Sequence, residues 1–338
     1  MTTVLDALNQ ALHHAMDVNP NVYMLGEDIL DPYGGAFKVT RGLSTRFPDR
    51  VWTTPISEAA IAGIAAGMAL RGLRPVVEIM FGDFLSLVYD QIFNHAAKFR
   101  WMYNGKVRVP IVIRTPMGGR RGYGPTHSQC TEKLFLGVPG LRIIACNAFS
   151  DPNATLSTAI LDSEDPVLFV EHKLLYGCKM RDTPHIEDLE MEQTAGAWPT
   201  QTLRFRGVAN PEITFVSYGY MAELVYEAMM ALALEYEVFS EALIYTQLKP
   251  LDAGPVLRSA AATRCVVTVE EGSVTAGWGS EVLATVAERL PTGKALRSHR
   301  VGGKDIPIPS TRPLEEAVLP SVRTIVGAAL NLTGKTDG

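Results

Sequence analysis

Short apolar runs without alternation separate longer segments of helical character through the first half of the chain. Such runs are typical of strands that are buried on both faces, and the segments between them are long enough to be helices. The sequence therefore predicts a parallel sheet with helices on both sides. The predicted strands are residues 74–79, 109–115, 141–145 and 167–171, and the predicted helices are residues 57–71, 84–100 and 151–162.

The N-terminal segment follows the same scheme. Thr3 is a good N-cap for a helix that continues to about Val18, because apolar residues recur on one stripe of this segment. The next segment, "VYMLGED", is predicted to be a buried strand that enters a loop.

The periodicity fails between about residues 178 and 210, where proline, glycine and charged residues are mixed. This composition predicts a surface linker and a domain boundary. We expect a first domain over residues 1–185, a linker over 186–210 and a smaller α/β domain over 211–338. In that second domain the predicted strands are 213–217, 238–245, 265–269 and 296–301, and the predicted helices are 221–235, 252–262 and 279–289.

Composition narrows the class of protein. Hydrophobic residues make up 47% and charged residues 20% of the 338 residues, as in globular proteins, and the formal charge of -5 gives no bulk attraction to nucleic acid or an anionic membrane. Four widely spaced cysteines without a CxxC pair argue against a disulfide framework and a zinc site. No apolar run has membrane-spanning length and the N-terminus has no targeting signal, so we expect a cytoplasmic protein.

Several common cofactor and catalytic motifs do not occur. The chain has no G-x-G-x-x-G after a predicted strand, no G-x-x-x-x-G-K-[ST], no H-E-x-x-H and no G-x-S-x-G. Dinucleotide, P-loop, zinc-protease and nucleophile-elbow functions are therefore unsupported. An α/β chain without its own phosphate motif can share a cofactor with a neighbouring chain.

One carboxylate, Glu58, begins a helix that is otherwise apolar, "AAIAGIAAGMAL". As an N-cap, Ser57 places Glu58 in the first turn, where the helix dipole favours an acid by roughly 0.3 to 1 kcal/mol. This effect alone would account for Glu58 as a surface residue. The helix is, however, expected to be buried on all sides, with Gly63 and Gly67 allowing close approach of another backbone. A desolvated acid at its start would be a useful proton carrier.

Longer motifs occur in one order along the chain. They include "PISEAAIAGIAAGMALRGLRPVVEIMFGDF", "DQIFNHAAKFR" and "GGRRGYGPTHSQ", followed by "QLKPLDAG", "VVTVEEG" and "GGKDIPIPSTRPLEEAVLP". Together they resemble the β subunit of the E1 component of 2-oxo acid dehydrogenase complexes, in the thiamine-diphosphate-dependent transketolase superfamily. The resemblance implies a parallel-sheet pyrimidine-binding domain followed by a transketolase C-terminal-type domain.

The resemblance also implies roles for individual residues. Glu58 corresponds to the glutamate that shares a proton with N1′ of the cofactor's aminopyrimidine, and Phe84 to the aromatic residue that stacks on this ring. His127, in "THSQ", corresponds to the histidine that faces the reacting centre and assists acyl transfer. Glu27 and Asp90 correspond to acids that approach the cofactor or an internal proton path.

Each role has a simpler alternative. Phe84 fits a core aromatic that begins a helix capped by Asp83, His127 fits a hydrogen-bonded loop residue, and Glu27 fits a strand-end acid bonded to backbone amides. The resemblance favours the functional interpretation of Phe84 and His127.

Two further sites are implied less directly. Arg120 and Arg121 precede His127, and a guanidinium suits a substrate carboxylate, which favours Arg121 as a substrate residue; adjacent arginines usually include a solvated one. Relatives also hold a structural monovalent cation such as K⁺ on backbone carbonyls, which here correspond to Ala159 and Asp162.

The chain lacks the "GDG" motif that holds Mg²⁺ and the diphosphate in this superfamily. The resemblance therefore implies an α subunit that supplies this half-site and Mg²⁺ in an α2β2 heterotetramer. The expected activity is decarboxylation of a pyruvate-like or branched-chain 2-oxo acid and reductive acylation of a lipoyl group on an E2 protein. The alternatives are an acetoin dehydrogenase β subunit, a split transketolase or carboligase that does not use lipoate, and a non-catalytic scaffold.

Overall fold

The computed structural model describes residues 2–181, 185–186, 188–290 and 295–335, in two compact units. Unit 1 comprises Met1–Gly118, Thr126–Cys146 and Asp151–Met180. Unit 2 comprises Gly119–Pro125, Asn147–Ser150 and Arg181–Gly338.

Unit 1 is built around a parallel sheet with strand order β5-β6-β4-β3-β1-β2. Its strands are β1 (Val22–Gly26), β2 (Val51–Thr53), β3 (Arg74–Glu78), β4 (Val112–Met117), β5 (Arg142–Ala145) and β6 (Val167–His172). Its helices are α1 (Val4–Val18), α2 (Leu43–Arg46), α3 (Glu58–Leu70), α4 (Ala97–Met102) and α5 (Pro152–Leu161). Because β4 and β6 are buried at every position, helices must cover both faces of the sheet, as predicted.

The N-terminal helix begins where the sequence predicts. Thr3 and Asp6 form a capping box, in which each side chain accepts a hydrogen bond from the backbone of the other residue. The apolar stripe of α1, which includes Leu8 and Leu12, is buried, and the helix packs against α5.

The predicted helix over 84–100 is a succession of three helical forms. A 3-10 segment (Gly82–Val88) and a π-helical segment (Gln91–Ala96) precede α4. Asp83 does not cap a helix at Phe84, because it lies inside the 3-10 segment and its Oδ1 accepts a hydrogen bond from Gln129 Nε2 at 2.8 Å. A tertiary contact thus replaces the expected local cap.

Unit 2 has a mixed sheet with strand order β14-β13-β10-β11-β9-β8-β7. Strands β14, β13, β10 and β11 are parallel, and β9, β8 and β7 add to the edge in antiparallel fashion. The strands of this sheet are β7 (His185–Ile186), β8 (Leu189–Gln193), β9 (Thr200–Phe205), β10 (Ile213–Tyr218), β11 (Ser240–Tyr245), β13 (Cys265–Ser273) and β14 (Arg297–Gly303). Strand β12 (Gln247–Lys249) is not part of it. The helices are α6 (Met221–Tyr236), α7 (Ala253–Thr263), α8 (Trp278–Arg289), α9 (Arg312–Val318) and α10 (Val322–Thr333).

The segment predicted as a linker, 186–210, carries β8 and β9. Charged residues make these strands difficult to recognise in the sequence. In the structure, Leu189 and Leu203 are buried, and Arg204 forms an ion pair with Glu241 on the neighbouring strand at 2.6 Å. Alternating burial on a sheet edge therefore accounts for a composition that looks like a loop. The boundary predicted at residue 185 borders residues 182–184 and 187, which lie outside the described residues.

In the described part of the chain, no helix combines the length and apolar character needed to cross a membrane.

Candidate active site

Three of the predicted site residues of unit 1 lie in the segments that follow neighbouring parallel strands. Glu27 follows β1, Phe84 follows β3 and His127 lies beyond the end of β4. Strand β1 lies between β2 and β3. The chain therefore passes from β1 to β2 on one side of β1 and then returns to β3 on the other side of it. Ligands of open parallel sheets bind at the carboxyl ends of strands beside such a reversal.

Two buried acids, Glu27 and Glu58, lie close together at this edge. Glu58 begins α3 and is 7% exposed. Burial raises the pKa of the Glu27 carboxyl, the charge of Glu58 adds to the rise, and a hydrogen bond from the backbone N–H of Ser57 opposes it. Ser57 occupies the N-cap position, but its side chain makes no capping hydrogen bond. The pair is thus suited to hold a proton on Glu27.

In the single chain, helix α3 is buried on one side only, so burial of its other side by a partner stays a prediction. One stripe of the helix is exposed, although the opposite face packs against the sheet. A Cβ atom at Gly67 would meet no described residue within 4 Å. Because the positions of α3 after Glu58 are apolar, the sequence does not show which side of the helix is covered. The exposed stripe could therefore not be predicted from the pattern. Its exposed members are Ala60, Gly63, Ile64, Gly67 and Leu70.

Two phenylalanine rings surround His127. The imidazole lies edge-on to Phe81 and Phe84, with ring centroids 4.7 Å and 5.3 Å away. Thr126 Oγ1 is 3.0 Å from His127 Nδ1. Phe84 therefore lies beside His127, and its stacking on the cofactor ring stays a prediction. Phe81 was not singled out; the available signal was an aromatic residue shortly after a buried strand.

Polar contacts fix the main chain around His127. Lys173, which directly follows β6, donates a hydrogen bond from Nζ to the carbonyl oxygen of His127. Two residues further on, the backbone N–H and side chain of Gln129 donate to Asp83 Oδ1 at 3.3 Å and 2.8 Å. The His127 loop is therefore held from both β3 and β6 sides of the edge.

Two buried carboxylate oxygens at this edge, Glu27 Oε1 and Asp83 Oδ2, have no hydrogen-bond partner among the described residues. Burying such atoms costs free energy unless a ligand or water satisfies them. They therefore favour a polar ligand at this position.

Asp90 has a different environment from Glu27. It is exposed, and its Oδ1 accepts a hydrogen bond from Asn94 at 2.6 Å. Its Oδ2 is 3.7 Å from Nδ1 of His95. These contacts describe a surface acid directly before the π-helical segment.

The adjacent arginines separate into a held and a solvated residue within unit 2. Arg120 has φ of 68°, its backbone N–H donates to Glu315 at 2.7 Å and its Nε donates to Glu271 at 3.2 Å. Arg121 is exposed. Arg121 is therefore the guanidinium available to a ligand, and its role in substrate binding stays a prediction.

The predicted cation site at Ala159 and Asp162 lies at the C-terminal end of α5. Arg74 occupies this helix end, where its Nε donates to the carbonyl of Ile160 at 2.6 Å and its Nη2 to that of Ser163 at 2.5 Å. The guanidinium complements the negative end of the helix dipole. The monovalent cation stays a prediction.

A buried ion cluster that the sequence analysis did not identify crosses three strands of unit 1. Arg114 on β4 donates to both oxygens of Glu171 at 3.0 Å and 2.7 Å and also bonds Glu78. Burial raises the pKa of Glu78, and the Tyr176 hydroxyl donates to Glu171 at 2.6 Å. The cluster ties β3, β4 and β6 together beneath the carboxyl edge.

Comparison with known proteins defines the class. Residues 1–179 match the transketolase pyrimidine binding domain, and residues 206–325 match the transketolase C-terminal domain. Among solved structures, a split gene transketolase described as an inactive beta4 tetramer aligns over 100% of both chains with a TM-score of 0.76 at 22% identity. A transketolase from Leishmania mexicana aligns over 98% of this chain and 45% of that chain, with a TM-score of 0.70 at 16% identity. The fold is thus that of the two-domain transketolase class.

Curated relatives define the family more closely. The chain is 36% identical over 328 residues to the mitochondrial pyruvate dehydrogenase E1 component subunit beta-1 of Arabidopsis thaliana, covering 97% of this chain and 88% of that protein. It is also 36% identical over 337 residues to the acetoin:2,6-dichlorophenolindophenol oxidoreductase subunit beta of Cupriavidus necator, covering 96% and 95%. The chain belongs to the family of E1 β subunits of 2-oxo acid dehydrogenases, which are thiamine-diphosphate-dependent enzymes of the transketolase class.

Proposed function

We propose that this chain acts with a separate α subunit to decarboxylate a 2-oxo acid and to transfer the acyl group reductively to a lipoyl group on an E2 protein. The observation that carries the proposal is the placement of Glu58, a buried acid at the first turn of α3 beside Glu27, another buried acid. A carboxyl in this setting can exchange a proton with a ring nitrogen without competition from bulk water.

The residues of this edge fit the aminopyrimidine half of thiamine diphosphate. Glu58 would face the ring nitrogen N1′ and Phe84 would line the ring, while the unpartnered oxygens of Glu27 and Asp83 would accept hydrogen bonds from the ligand or its water. The chemistry supplied by this cofactor is attack on a ketone carbonyl and storage of the electron pair left by decarboxylation. Glu58 contributes to it by holding the proton that sets the ring's tautomer.

His127 would act on the substrate side of the same edge. Its imidazole lies against two aromatic rings, which hold a proton donor or acceptor in a fixed orientation. We therefore assign to His127 the protonation steps and the approach of the acyl acceptor, and to Arg121 the substrate carboxylate.

An α subunit would complete the site. The chain has no "GDG" motif, so Mg²⁺ and the diphosphate need ligands from another chain. The exposed stripe of α3 supports such an assembly, because small residues at Gly63 and Gly67 permit close contact between backbones. An α2β2 heterotetramer satisfies both requirements.

Acetoin cleavage is the second candidate. The Arabidopsis pyruvate dehydrogenase subunit and the Cupriavidus acetoin subunit are each 36% identical to this chain over nearly its full length. Overall identity therefore does not favour one substrate over the other. A split transketolase that does not use lipoate is a third candidate, supported by fold alone.

The deciding experiment is turnover by the chain co-purified with its α subunit. The substrates are pyruvate, branched-chain 2-oxo acids, acetoin and ketose phosphates, each assayed with a lipoyl domain and with an artificial dye acceptor. We expect turnover of a 2-oxo acid with acylation of the lipoyl domain. Turnover of acetoin alone supports the second candidate, and turnover of ketose phosphates without lipoate contradicts the dehydrogenase function.

A further inference from the structure

We propose that Lys173 is a positioning residue for His127. The inference rests on the function proposed above, because it assigns Lys173 a task in the steps that use His127. Lys173 directly follows β6 and is only 1% exposed. Lysine is rarely buried to this extent unless its ammonium group has partners.

The contacts of Lys173 link the ends of three strands. Its backbone N–H donates to the carbonyl of Met117, the last residue of β4, at 3.1 Å. Its Nζ donates to the carbonyl of His127 and lies 5.2 Å from the ring centroid of Phe81, which follows β3. A charged hydrogen bond and a cation–π contact together offset the loss of hydration of the ammonium group.

These contacts bear on the imidazole through one shared ring. The Phe81 ring contacts both Lys173 and the imidazole of His127, and the centroids of the Phe81 and His127 rings are 4.7 Å apart. The ammonium group therefore holds the His127 main chain and the aromatic ring that the imidazole packs on. A side chain held at both points keeps one orientation, and displacement of a catalytic group by about 1 Å costs on the order of 100-fold in rate.

The loop before His127 is also fixed where it leaves β4. Gly118 has φ of 92°, and a Cβ atom there would lie 2.0 Å from Nε2 of His172, the last residue of β6. The start of the loop is thus set by His172 and its His127 end by Lys173. His172 and Lys173 are adjacent at the end of β6, and together they determine the course of the loop at both points.

The test is a double-mutant cycle in the co-purified complex. Lys173→Met keeps the length of the side chain and removes the charge and the donor. We expect kcat for the favoured substrate to fall by about 10- to 100-fold with little change in KM. In the His127→Ala background, the same change is expected to cost less than about twofold, because the group that Lys173 positions is already missing. Thiamine diphosphate affinity, measured by fluorescence quenching, should stay unchanged.

A merely structural role gives a different result. An equal loss of kcat in the two backgrounds, or no loss in the wild-type background, overturns the proposal. Lys173→Arg, which keeps the charge and N–H donors, should recover most of the activity. If Lys173→Met does not assemble with the α subunit, Lys173→Gln carries the same cycle and the same outcomes decide.

Lys98→Met is the matched control. Lys98 also contacts a phenylalanine ring, with Nζ 4.1 Å from the centroid of Phe93, and bonds Asn94 at 3.3 Å. The Lys98→Met substitution should leave kcat within about twofold in either background. Failure of the wild-type complex to turn over any substrate contradicts the proposed function, whereas additive losses in an active complex contradict the positioning role alone.

Discussion

The carboxyls of Glu27 and Glu58 lie near enough for the charge of Glu58 to raise the pKa of Glu27. Glu27 follows a strand and Glu58 begins a helix, so the pair forms where the end of β1 meets the start of α3. Because both residues are buried, a second negative charge in this place is unfavourable, and the pKa of Glu27 is raised.

The Glu27→Gln variant is expected to be more heat-stable than the wild type at neutral pH. Below the ordinary pKa of 4.5, Glu27 is protonated in both the folded and the unfolded chain, so its ionisation does not change the free energy of unfolding. As the pH rises from 4.5 through the raised pKa of the folded state, ionisation is harder in the folded chain, so wild-type stability falls. The neutral amide of the variant avoids this loss, so the difference in melting temperature should grow from about pH 4 to about pH 8.

Circular dichroism melts of the isolated chain measure this difference. Glu288→Gln, which changes an exposed acid on α8, is the control and should show no such trend. A Glu27→Gln difference that is the same at every pH would contradict the arrangement of the two acids.

Replacing Glu58 should slow proton exchange at the reacting carbon of the cofactor. In the assembled enzyme, Glu58→Gln is expected to reduce C2 deuterium exchange by about 10² to 10⁴, the range for a positioned acid or base. Rapid-quench NMR measures the rate. Glu223→Gln is the matched control, since Glu223 lies in the first turn of α6 and is also 7% exposed. Exchange at the wild-type rate in Glu58→Gln would remove the assignment.

A single methyl group on α3 should have opposite effects on folding and on assembly. Gly67→Ala is expected to stabilise the isolated chain by roughly 0.5 to 1 kcal/mol, because alanine is the better helix former and its Cβ meets nothing within 4 Å. The same methyl group should weaken association with the α subunit if the exposed stripe is an interface. Urea denaturation and analytical ultracentrifugation measure the two effects.

Gly327→Ala on α10 provides the comparison, since a Cβ atom there also meets nothing within 4 Å. It should stabilise the chain to a similar degree and leave assembly unchanged. Association of Gly67→Ala with wild-type affinity would show that the α3 stripe is not the contact surface.

The buried ion cluster should contribute far more to stability than a surface ion pair. Arg114→Met leaves Glu78 and Glu171 without their shared cation, and we expect a loss of about 3 to 5 kcal/mol in the free energy of unfolding. Arg312→Ala breaks the exposed pair with Glu316 and should cost far less, because the surrounding water screens this pair. Urea denaturation compares them, and equal losses would contradict the cluster's role.

The sequence by itself determined the strands of unit 1 other than β2, helix α1 and its Thr3 cap, and the parallel architecture. These features depend on the pattern of nearby residues, which the chain displays directly. The motifs also singled out Glu58, Phe84 and His127, because their resemblance to a family is carried by contiguous stretches of sequence.

Only the tertiary structure decided which groups meet and which face is left open. The exposed stripe of α3 carries no polar side chain that would distinguish it from the buried face, and β8 and β9 look like a linker until they pair with a sheet. Lys173 and His127 are 46 positions apart in sequence, and no local pattern relates them. Contacts of this kind arise when parallel strands bring their ends to one edge, so they depend on the pairing of strands distant in the chain.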